Sequence, residues 1–318
     1  MWQSKRRLHG VILTQAVIVL ACAQQDNLTD PEGKPTTGIE TPAPSEAMAH
    51  ITVLVGAGDI GKCVSGNGAK LTGALLDAIS GTVFALGDNA YPDGTATQYA
   101  KCYGPGWGRH KQRTRPALGN HEYNVSPNPY FDYFNGAGST SGRAGPRGKG
   151  YYSYNVGAWH IVVLNSVTNI RQDVSSPQAK WLKADLAANR TRCTLAYWHH
   201  PFFTSGKNLP AKRLAPLVVL LYDAGVEIVM SGHNHQYERF APQNPNGQAD
   251  PSRGIRAFVV GTGGAGTYGF ERRAANSQVR YGGGHGVLKL TLSAGSYAWE
   301  FDPVAGTSFR DSGKGTCH

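Results

Sequence analysis

The chain has 318 residues, with 31 Lys and Arg against 21 Asp and Glu, so its net charge is +10. A basic balance favours anionic partners such as phosphate esters, nucleic acid or an acidic surface. The basic residues are scattered, however, and lack the aromatic interleaving of a single-strand binding groove, so nucleic acid is not the favoured partner. Glycine occurs 41 times without a tripeptide period, which excludes a collagen-like fibre and predicts many turns.

The N-terminus has the features of an export signal. Basic residues 5–7 precede an apolar stretch over residues 11–21, which is too short for a membrane-spanning helix of about twenty residues. The stretch ends in Val-Leu-Ala-Cys at Cys22 and resembles a bacterial lipoprotein signal, in which this cysteine is lipidated. Ordinary cleavage after Ala23 is the alternative. We therefore predict an export signal over residues 1–22 and a location on the periplasmic face of a bacterial membrane, or secretion.

Residues 23–49 are rich in Pro, Thr, Glu and Gly and have no apolar periodicity. This composition is typical of a disordered tether. The remaining residues, 50–318, are enough for one large domain, and no second domain is expected before it.

Five cysteines are present, none in a CxxC pair, so a thiolate zinc site is not predicted. The four after Cys22 allow three pairings. We favour Cys63–Cys102, which flank two glycine-containing motifs, and Cys193–Cys317, which would hold the C-terminal tail. Four unpaired buried thiols are the alternative.

Helical and strand patterns alternate along the rest of the chain. Apolar residues at helical spacing predict helices over residues 69–79, 177–188 and 211–224, with Pro216 in the first turn of the last helix or at a kink. Glycine-rich loops are expected over residues 104–108 and 136–150. Strands are predicted over residues 161–164, 194–198, 226–230, 257–260, 287–292 and 297–301. The pattern predicts a layered α/β core with added antiparallel strands.

Five short apolar runs end in clusters of metal-ligand residues. The runs cover residues 51–55, 83–86, 116–118, 194–198 and 226–230. Runs of this length read as buried strands, and open α/β sheets build their sites at the carboxyl ends of strands. We interpret the five clusters as parts of one polynuclear metal centre.

The candidate ligands offer oxygen and imidazole nitrogen without sulfur, a set suited to Mn, Fe, Zn or Mg. Two neighbouring cations need an anionic bridge, which Asp88 could supply. Asp59 would add a second charge, Asn120 a neutral carbonyl, and His199, His233 and His235 the nitrogens. Each motif alone has a plainer explanation, such as a turn at Asp59 or buried structural histidines at His199 and His200.

Together the motifs carry a resemblance. GDIG at 58–61, GDNAY at 87–91, GNHE at 119–122, HHP at 199–201 and GHNHQYER at 232–239 resemble the calcineurin-like metallophosphoesterases. Tyrosine three residues after the second aspartate resembles the purple acid phosphatase branch. The resemblance implies an α/β fold, a layered α/β/β/α sandwich with mixed sheets and a metal site at the C-terminal ends of strands.

The resemblance also implies residue roles. Asp59, Asp88, Tyr91 and His235 would hold the first metal, with Asp88 bridging to a second metal held by Asn120, His199 and His233. His121 would donate a proton to the leaving oxygen. Glu122 would orient His121 or cap a turn, and His200 and Arg239 are further candidates for substrate contact or support. Purple acid phosphatases usually carry another histidine nine or ten residues after the histidine that matches His199, and this residue assists as an acid. Here Asn208 and Leu209 occupy those positions, so this histidine is missing or is replaced by His200.

A phenol as weakly acidic as tyrosine calls for a strong Lewis acid if it binds as phenolate. We therefore favour Fe at the first site, and Zn, Mn or Fe at the second; if Tyr91 only packs in the wall, Mn, Zn or Fe(II) would serve. The predicted activity is hydrolysis of small phosphate monoesters. The alternatives are a phosphodiesterase or nuclease on the same site and a non-catalytic metal-binding envelope protein.

Overall fold

The computed structural model describes residues 51–63, 66–167 and 171–318. The predicted export signal, the tether and Cys22 lie outside the described residues. Among the described residues, none of the helices combines the length and the apolar character that a bilayer crossing needs.

The described residues form two mixed sheets. The strands are β1 Thr52–Ala57, β2 Thr82–Leu86, β3 Thr114–Ala117, β4 Tyr152–Val156, β5 Trp159–Val163, β6 Cys193–Tyr197, β7 Ile228–Ser231, β8 Tyr237–Phe240, β9 Arg256–Val260, β10 Ser277–Tyr281, β11 Gly286–Ser293, β12 Ser296–Pro303 and β13 Asp311–Thr316. The first sheet has the order β13-β12-β11-β1-β2-β3, and the second β10-β8-β9-β7-β6-β5-β4. Each sheet contains a run of parallel strands: β1 to β3 in the first, and β5, β6, β7 and β9 in the second.

Helices connect and cover the strands. The α-helices are α1 Gly68–Ala78, α2 Ala96–Gln98, α3 Gly104–Trp107, α4 Asn128–Asn135, α5 Pro177–Ala188 and α6 Ala215–Asp223. A π-helical turn, Tyr99–Tyr103, and 3₁₀ turns at Gly108–Arg113, His121–Tyr123 and Lys212–Leu214 complete the helical segments. The helix predicted over residues 177–188 forms as predicted and is capped by Ser176, whose side chain accepts from the Ala179 amide.

The strands alternate their side chains between two hydrophobic layers. Along β6, Leu195 and Tyr197 lie in a core that joins both sheets, whereas Ala196 faces a second core with Leu182 of α5 and Leu217 of α6. The two sheets therefore pack face to face with helices outside, and the predicted α/β/β/α sandwich is confirmed.

Two sequence expectations need correction. Residues 104–108 were expected to be a loop, but residues 104–107 form α3. Gly106 lies so close to Ala69 of α1 that a Cβ there would collide with the helix backbone, so glycine here allows two helices to touch. The helix predicted from residue 211 begins instead as a 3₁₀ turn, and α6 starts at Ala215 with Pro216 in its first turn, where proline needs no amide hydrogen.

Both predicted disulfides are present. Cys63 pairs with Cys102, and Cys193 at the start of β6 pairs with Cys317 after β13. The second bond ties the edge of the first sheet to a central strand of the second across 124 residues of sequence.

We expect the Cys193→Ser/Cys317→Ser double variant to lose about 2–5 kcal/mol of unfolding free energy, because the bond restricts a long loop in the unfolded chain. Urea unfolding without reductant measures the loss. Wild-type protein treated with reductant should move toward the midpoint of the variant. An unchanged urea midpoint in the variant would show that this bond does not stabilise the fold.

Candidate metal centre

Five of the seven predicted ligands lie just beyond the carboxyl end of a parallel strand. One residue lies between the strand end and the ligand in four cases, and two residues in one. The pairs of last strand residue and ligand are Ala57 and Asp59, Leu86 and Asp88, Ala117 and Asn120, Tyr197 and His199, and Ser231 and His233. The parallel strands of both sheets therefore deliver these side chains to one edge of the sandwich.

The backbone turns sharply at three of these positions. Asp59, Asp88 and His233 have φ values of 61°, 49° and 67°, in the left-handed region that residues other than glycine rarely adopt. Strained backbone of this kind concentrates at functional sites. At Gly119 a Cβ would collide with the carboxylate of Asp88, so only glycine lets the third motif approach the second.

A first group of donor atoms surrounds the phenol oxygen of Tyr91. Its hydroxyl lies 2.9 Å from Asp59 Oδ1, 3.1 Å from Asp88 Oδ2 and 3.2 Å from His235 Nε2. His235 Nε2 is also 3.3 Å from Asp59 Oδ1. One hydroxyl proton cannot be donated to both carboxylates at once, so the four side chains together suit a cation.

A second group surrounds the imidazole of His199. Its Nδ1 lies 2.8 Å from the carbonyl oxygen of Leu86 and must donate to it, so Nε2 of the neutral ring carries a lone pair. That nitrogen is 3.2 Å from Asp88 Oδ2, 3.1 Å from Asn120 Oδ1 and 3.2 Å from His233 Nδ1. Four lone-pair atoms that converge in this way fit a second cation.

Asp88 belongs to both groups through one oxygen. Oδ2 contacts Tyr91 on one side and His199 on the other, while Oδ1 accepts the backbone N–H of His121 at 2.9 Å. The carboxylates of Asp59 and Asp88 and an imidazole nitrogen of His199 lie within 4.8 Å of one another. The Asp88 carboxylate therefore lies between the two groups of candidate metal ligands.

Burial and charge act in opposite directions on these groups. Burial would raise the pKa of Asp88, but His199 beside it outweighs burial and holds that pKa below its usual range. Burial opposes a proton on His199, and Asp88 overcomes it to raise the pKa of His199 to about 9. Burial, and then Asp59 and Asp88, raise the pKa of the Tyr91 phenol well above 10. In the absence of metal ions, His199 and Tyr91 therefore keep protons on atoms that would bind the metals.

His121 lies at the open side of this cluster with its side chain 29% exposed. Its Nδ1 meets the carbonyl oxygen of Pro92 at 2.5 Å, and a carbonyl can only accept, so Nδ1 carries a proton. Nε2 then faces Asp88 Oδ2 at 3.7 Å, and the ring lies on Tyr91 with centroids 4.3 Å apart. A histidine held in this way can exchange a proton at Nε2.

Glu122 is fully buried and does not contact the His121 ring. Its carboxylate accepts from the backbone amides of Gly119 at 2.7 Å, Asp88 at 3.0 Å and Asn89 at 2.7 Å, and from the Tyr99 hydroxyl at 3.1 Å. Of the two roles left open by the sequence, capping a turn is nearer to what the structure shows. Glu122 joins the second motif to the third.

Arg239 is not brought into the cluster. Its guanidinium donates to both carboxylate oxygens of Asp311, at 2.7 and 3.0 Å, and lies over the Trp299 ring. Tyr237 donates to the same carboxylate at 2.6 Å. The end of the fifth motif therefore joins β8 to β13, and the substrate contact considered for Arg239 has no support in this geometry.

His200 does lie beside the cluster. It is buried, and one of its ring nitrogens is within 4.8 Å of ligand nitrogens of His199 and His233. Burial, and then these two histidines, lower its pKa.

Several supporting residues carry no signal in the sequence. The Tyr268 ring stacks on His235 with centroids 4.1 Å apart and an angle of 9°. Asn208 donates through its side chain to the carbonyl oxygen of His233 and through its backbone to the side chain of Asn234. No motif marks Tyr268, and the sequence singles out Asn208 only as a position where a histidine is usual, so the supporting contacts of both residues are visible only in the fold.

The family follows from a comparison with known proteins. Residues 54–237, more than half of the chain, match the family model described as calcineurin-like phosphoesterase. The chain belongs to the calcineurin-like phosphoesterase family. The matched range includes all five motifs up to Tyr237.

Relatives within the calcineurin-like phosphoesterase family support the purple acid phosphatase-like branch. The chain is 29% identical over 262 residues to purple acid phosphatase 15 of Arabidopsis thaliana, covering 70% of this chain and 46% of that protein. It is 37% identical over 120 residues to purple acid phosphatase 18 of the same plant, covering 36% and 26%. The chain therefore spans about a quarter to a half of the length of these curated relatives.

Solved structures of low identity share the fold. The purple acid phosphatase PPD1 from yellow lupin superposes with a TM-score of 0.62 at 20% identity, covering 84% of this chain and 54% of that one. GAP50, described as the anchor in the inner membrane complex of Plasmodium, superposes with a TM-score of 0.64 at 14% identity, covering 84% and 89%.

We expect Glu122→Ala to lower the unfolding free energy of the metal-free protein by about 3–5 kcal/mol, since several buried amides lose their acceptor. Urea unfolding in the presence of a chelator measures this. Glu122→Gln, which retains one acceptor oxygen, should lose less. Glu271→Ala removes a side chain that is 55% exposed and should change stability by less than about 0.5 kcal/mol. Equal stability of Glu122→Ala and wild type would contradict the bracing role.

Proposed function

We propose that this protein hydrolyses small phosphate monoesters at a two-metal centre. The observation that carries the proposal is the position of Asp88 Oδ2 between the group around Tyr91 and the group around His199. Two bound cations would neutralise charge on the phosphoryl oxygens and lower the pKa of a water. Phosphoryl transfer mainly needs this kind of positioning and charge stabilisation.

The chain's own residues have separate tasks in this proposal. Asp59, Asp88, Tyr91 and His235 would hold the first metal, and Asp88, Asn120, His199 and His233 the second. The Asp59 Oδ2 atom accepts the backbone N–H of His233 at 2.8 Å, so a ligand of the first metal also positions a ligand of the second.

His121 would protonate the leaving oxygen. Nδ1 donates to the carbonyl oxygen of Pro92, so the proton for the leaving oxygen would come from Nε2, the nitrogen on the side of Asp88. The hydrogen bond to Pro92 and the contact with Tyr91 hold the ring in this orientation. General acids of this type contribute about 10²–10⁴-fold to rate.

We further propose Fe at the first site, with Zn, Mn or Fe at the second. The pKa of Tyr91 is raised in the metal-free site, so only a strongly polarising cation in contact with its oxygen would draw off the proton. The two disulfides support an oxidising compartment, and we propose export, with lipidation at Cys22 as the membrane anchor.

The His121→Ala variant tests the phosphatase mechanism. We expect its rate on phenyl phosphate to fall about 10²–10⁴-fold and its rate on p-nitrophenyl phosphate to fall less, because nitrophenolate needs little protonation to leave. Steady-state assays on both esters measure the ratio. His110→Gln, at a histidine bonded to Gly73, should leave that ratio unchanged.

Two results would contradict the proposal: activity that survives complete metal removal, or equal losses on both esters. The net charge of +10 favours a diesterase as the second candidate. Faster hydrolysis of bis-p-nitrophenyl phosphate than of p-nitrophenyl phosphate would favour that alternative.

The Tyr91→Phe variant tests the metal assignment. We expect purified wild-type protein containing Fe(III) to show a visible charge-transfer band, because a phenolate bound to the metal can donate an electron. The variant should be colourless when loaded with the same metals. Metal analysis with a visible spectrum measures both. A band that persists in Tyr91→Phe, or a colourless wild type with full Fe(III) occupancy, would exclude Tyr91 as an iron ligand.

A further inference from the structure

His200 places an imidazole beside the metal cluster although the family's ligand pattern does not use it. The side chain is 7% exposed, and its ring centroid is 4.4 Å from that of His233. Its Nδ1 meets Ser166 Oγ at 3.0 Å. One nitrogen of the ring lies within 4.8 Å of ligand nitrogens of His199 and His233, and within the described ranges only Nε2 lacks a hydrogen-bond partner.

Ser166 determines which nitrogen carries the proton. Its buried Oγ accepts the backbone N–H of His200 at 2.9 Å. The hydroxyl hydrogen has no other acceptor than His200 Nδ1 in residues 51–63, 66–167 and 171–318. If Nδ1 carried a proton, a buried hydroxyl hydrogen would be left unsatisfied, which is unfavourable. Ser166 therefore donates to Nδ1, and the proton of the neutral ring lies on Nε2.

The backbone on both sides of this pair is also fixed. The Trp198 indole donates to the carbonyl oxygen of His200 at 2.7 Å, and Arg213 donates to the carbonyl oxygen of Ser166 at 2.7 Å. The ring therefore presents a fixed N–H rather than a lone pair to the metal cluster. While Nε2 bears this hydrogen it does not ligate a metal, but it can donate to an anion that does.

We propose that His200 is a substrate-contacting residue whose Nε2–H donates to a non-bridging oxygen of the phosphoryl group. This inference rests on the proposed phosphatase function, since it takes the bound anion to be a phosphate. A neutral donor to an ionised phosphate makes a stronger hydrogen bond than a neutral pair, without a further charge beside the two cations.

Two substitutions separate the two ring nitrogens. His200→Gln places an amide N–H near the position of Nε2, whereas His200→Asn places its amide near Nδ1 and leaves nothing at Nε2. In metal-loaded protein we expect His200→Asn to raise both KM for p-nitrophenyl phosphate and Ki for inorganic phosphate by roughly tenfold to a hundredfold. His200→Gln should stay within about threefold of wild type, and both variants should retain two metals per chain.

Ser166→Ala tests the proton assignment. Without the hydroxyl the ring can carry its proton on either nitrogen, so we expect Ki for phosphate to rise by a smaller factor than in His200→Asn. A Ki equal to that of wild type would overturn the role of Ser166.

The inference is overturned if His200→Asn binds phosphate as tightly as wild type, or if His200→Asn and His200→Gln both lose a metal, which would make His200 a ligand. Calorimetric titration of the metal-loaded proteins with inorganic phosphate needs no turnover. If wild type hydrolyses no ester but His200→Asn still weakens phosphate binding, the proposed function fails, whereas the contact between His200 and a bound phosphate is retained.

Discussion

The carboxylate of Asp88 is the group on which the site depends. One oxygen holds the backbone of His121, and the other lies between the phenol of Tyr91 and the imidazole of His199. A carboxylate that is 2% exposed is unfavourable unless it is paired or hydrogen-bonded. Every neighbouring loop therefore has to supply a donor or a cation site at the right place.

The surrounding contacts meet this requirement through the backbone rather than through side chains alone. Glu122 gathers the amides of the second and third motifs, and Asp59 accepts the amide of His233 in the fifth. The Glu122 bonds join two loops of the first sheet, and the bond from His233 to Asp59 crosses to the second sheet, so the ligands of both proposed metals share one rigid frame. The left-handed backbone at Asp59, Asp88 and His233 is tolerated because such bonds over-determine it.

The strands and ligands could be predicted because their signals are local. Each predicted strand forms, with ends that shift by one or two residues, and five of these strands carry their ligand just beyond the carboxyl end. Four strands, β4, β8, β10 and β13, were not predicted from the sequence pattern. β13 reads DSGKGT, which is too polar and glycine-rich to indicate a strand, and it forms only because β12 offers it an antiparallel edge.

The site also combines residues with a local sequence signal and residues that meet only through the fold. A ligand such as Asn120 follows a glycine at a strand end, which is visible in sequence, whereas Ser166 lies 34 residues from His200 and meets it only in the fold. Motif membership can also mislead, since it does not state which way a side chain points. Glu122 and Arg239 belong to motifs with ligands, yet the structure uses one to hold backbone amides and the other to bind Asp311.

The fifth motif shows why a run of motif residues need not be a run of site residues. β8 follows directly after the ligand loop, so alternate side chains point to opposite faces of the sheet. Tyr237 and Arg239 on one face reach Asp311 of β13. Glu238 on the other accepts from Ser205, in the loop after His200, and from Ser277 of β10. The strand after His235 thus supports both the sheet edge and the loop beside the cleft. These contacts hold β8 in place and so limit the motion of the ligand loop that precedes it.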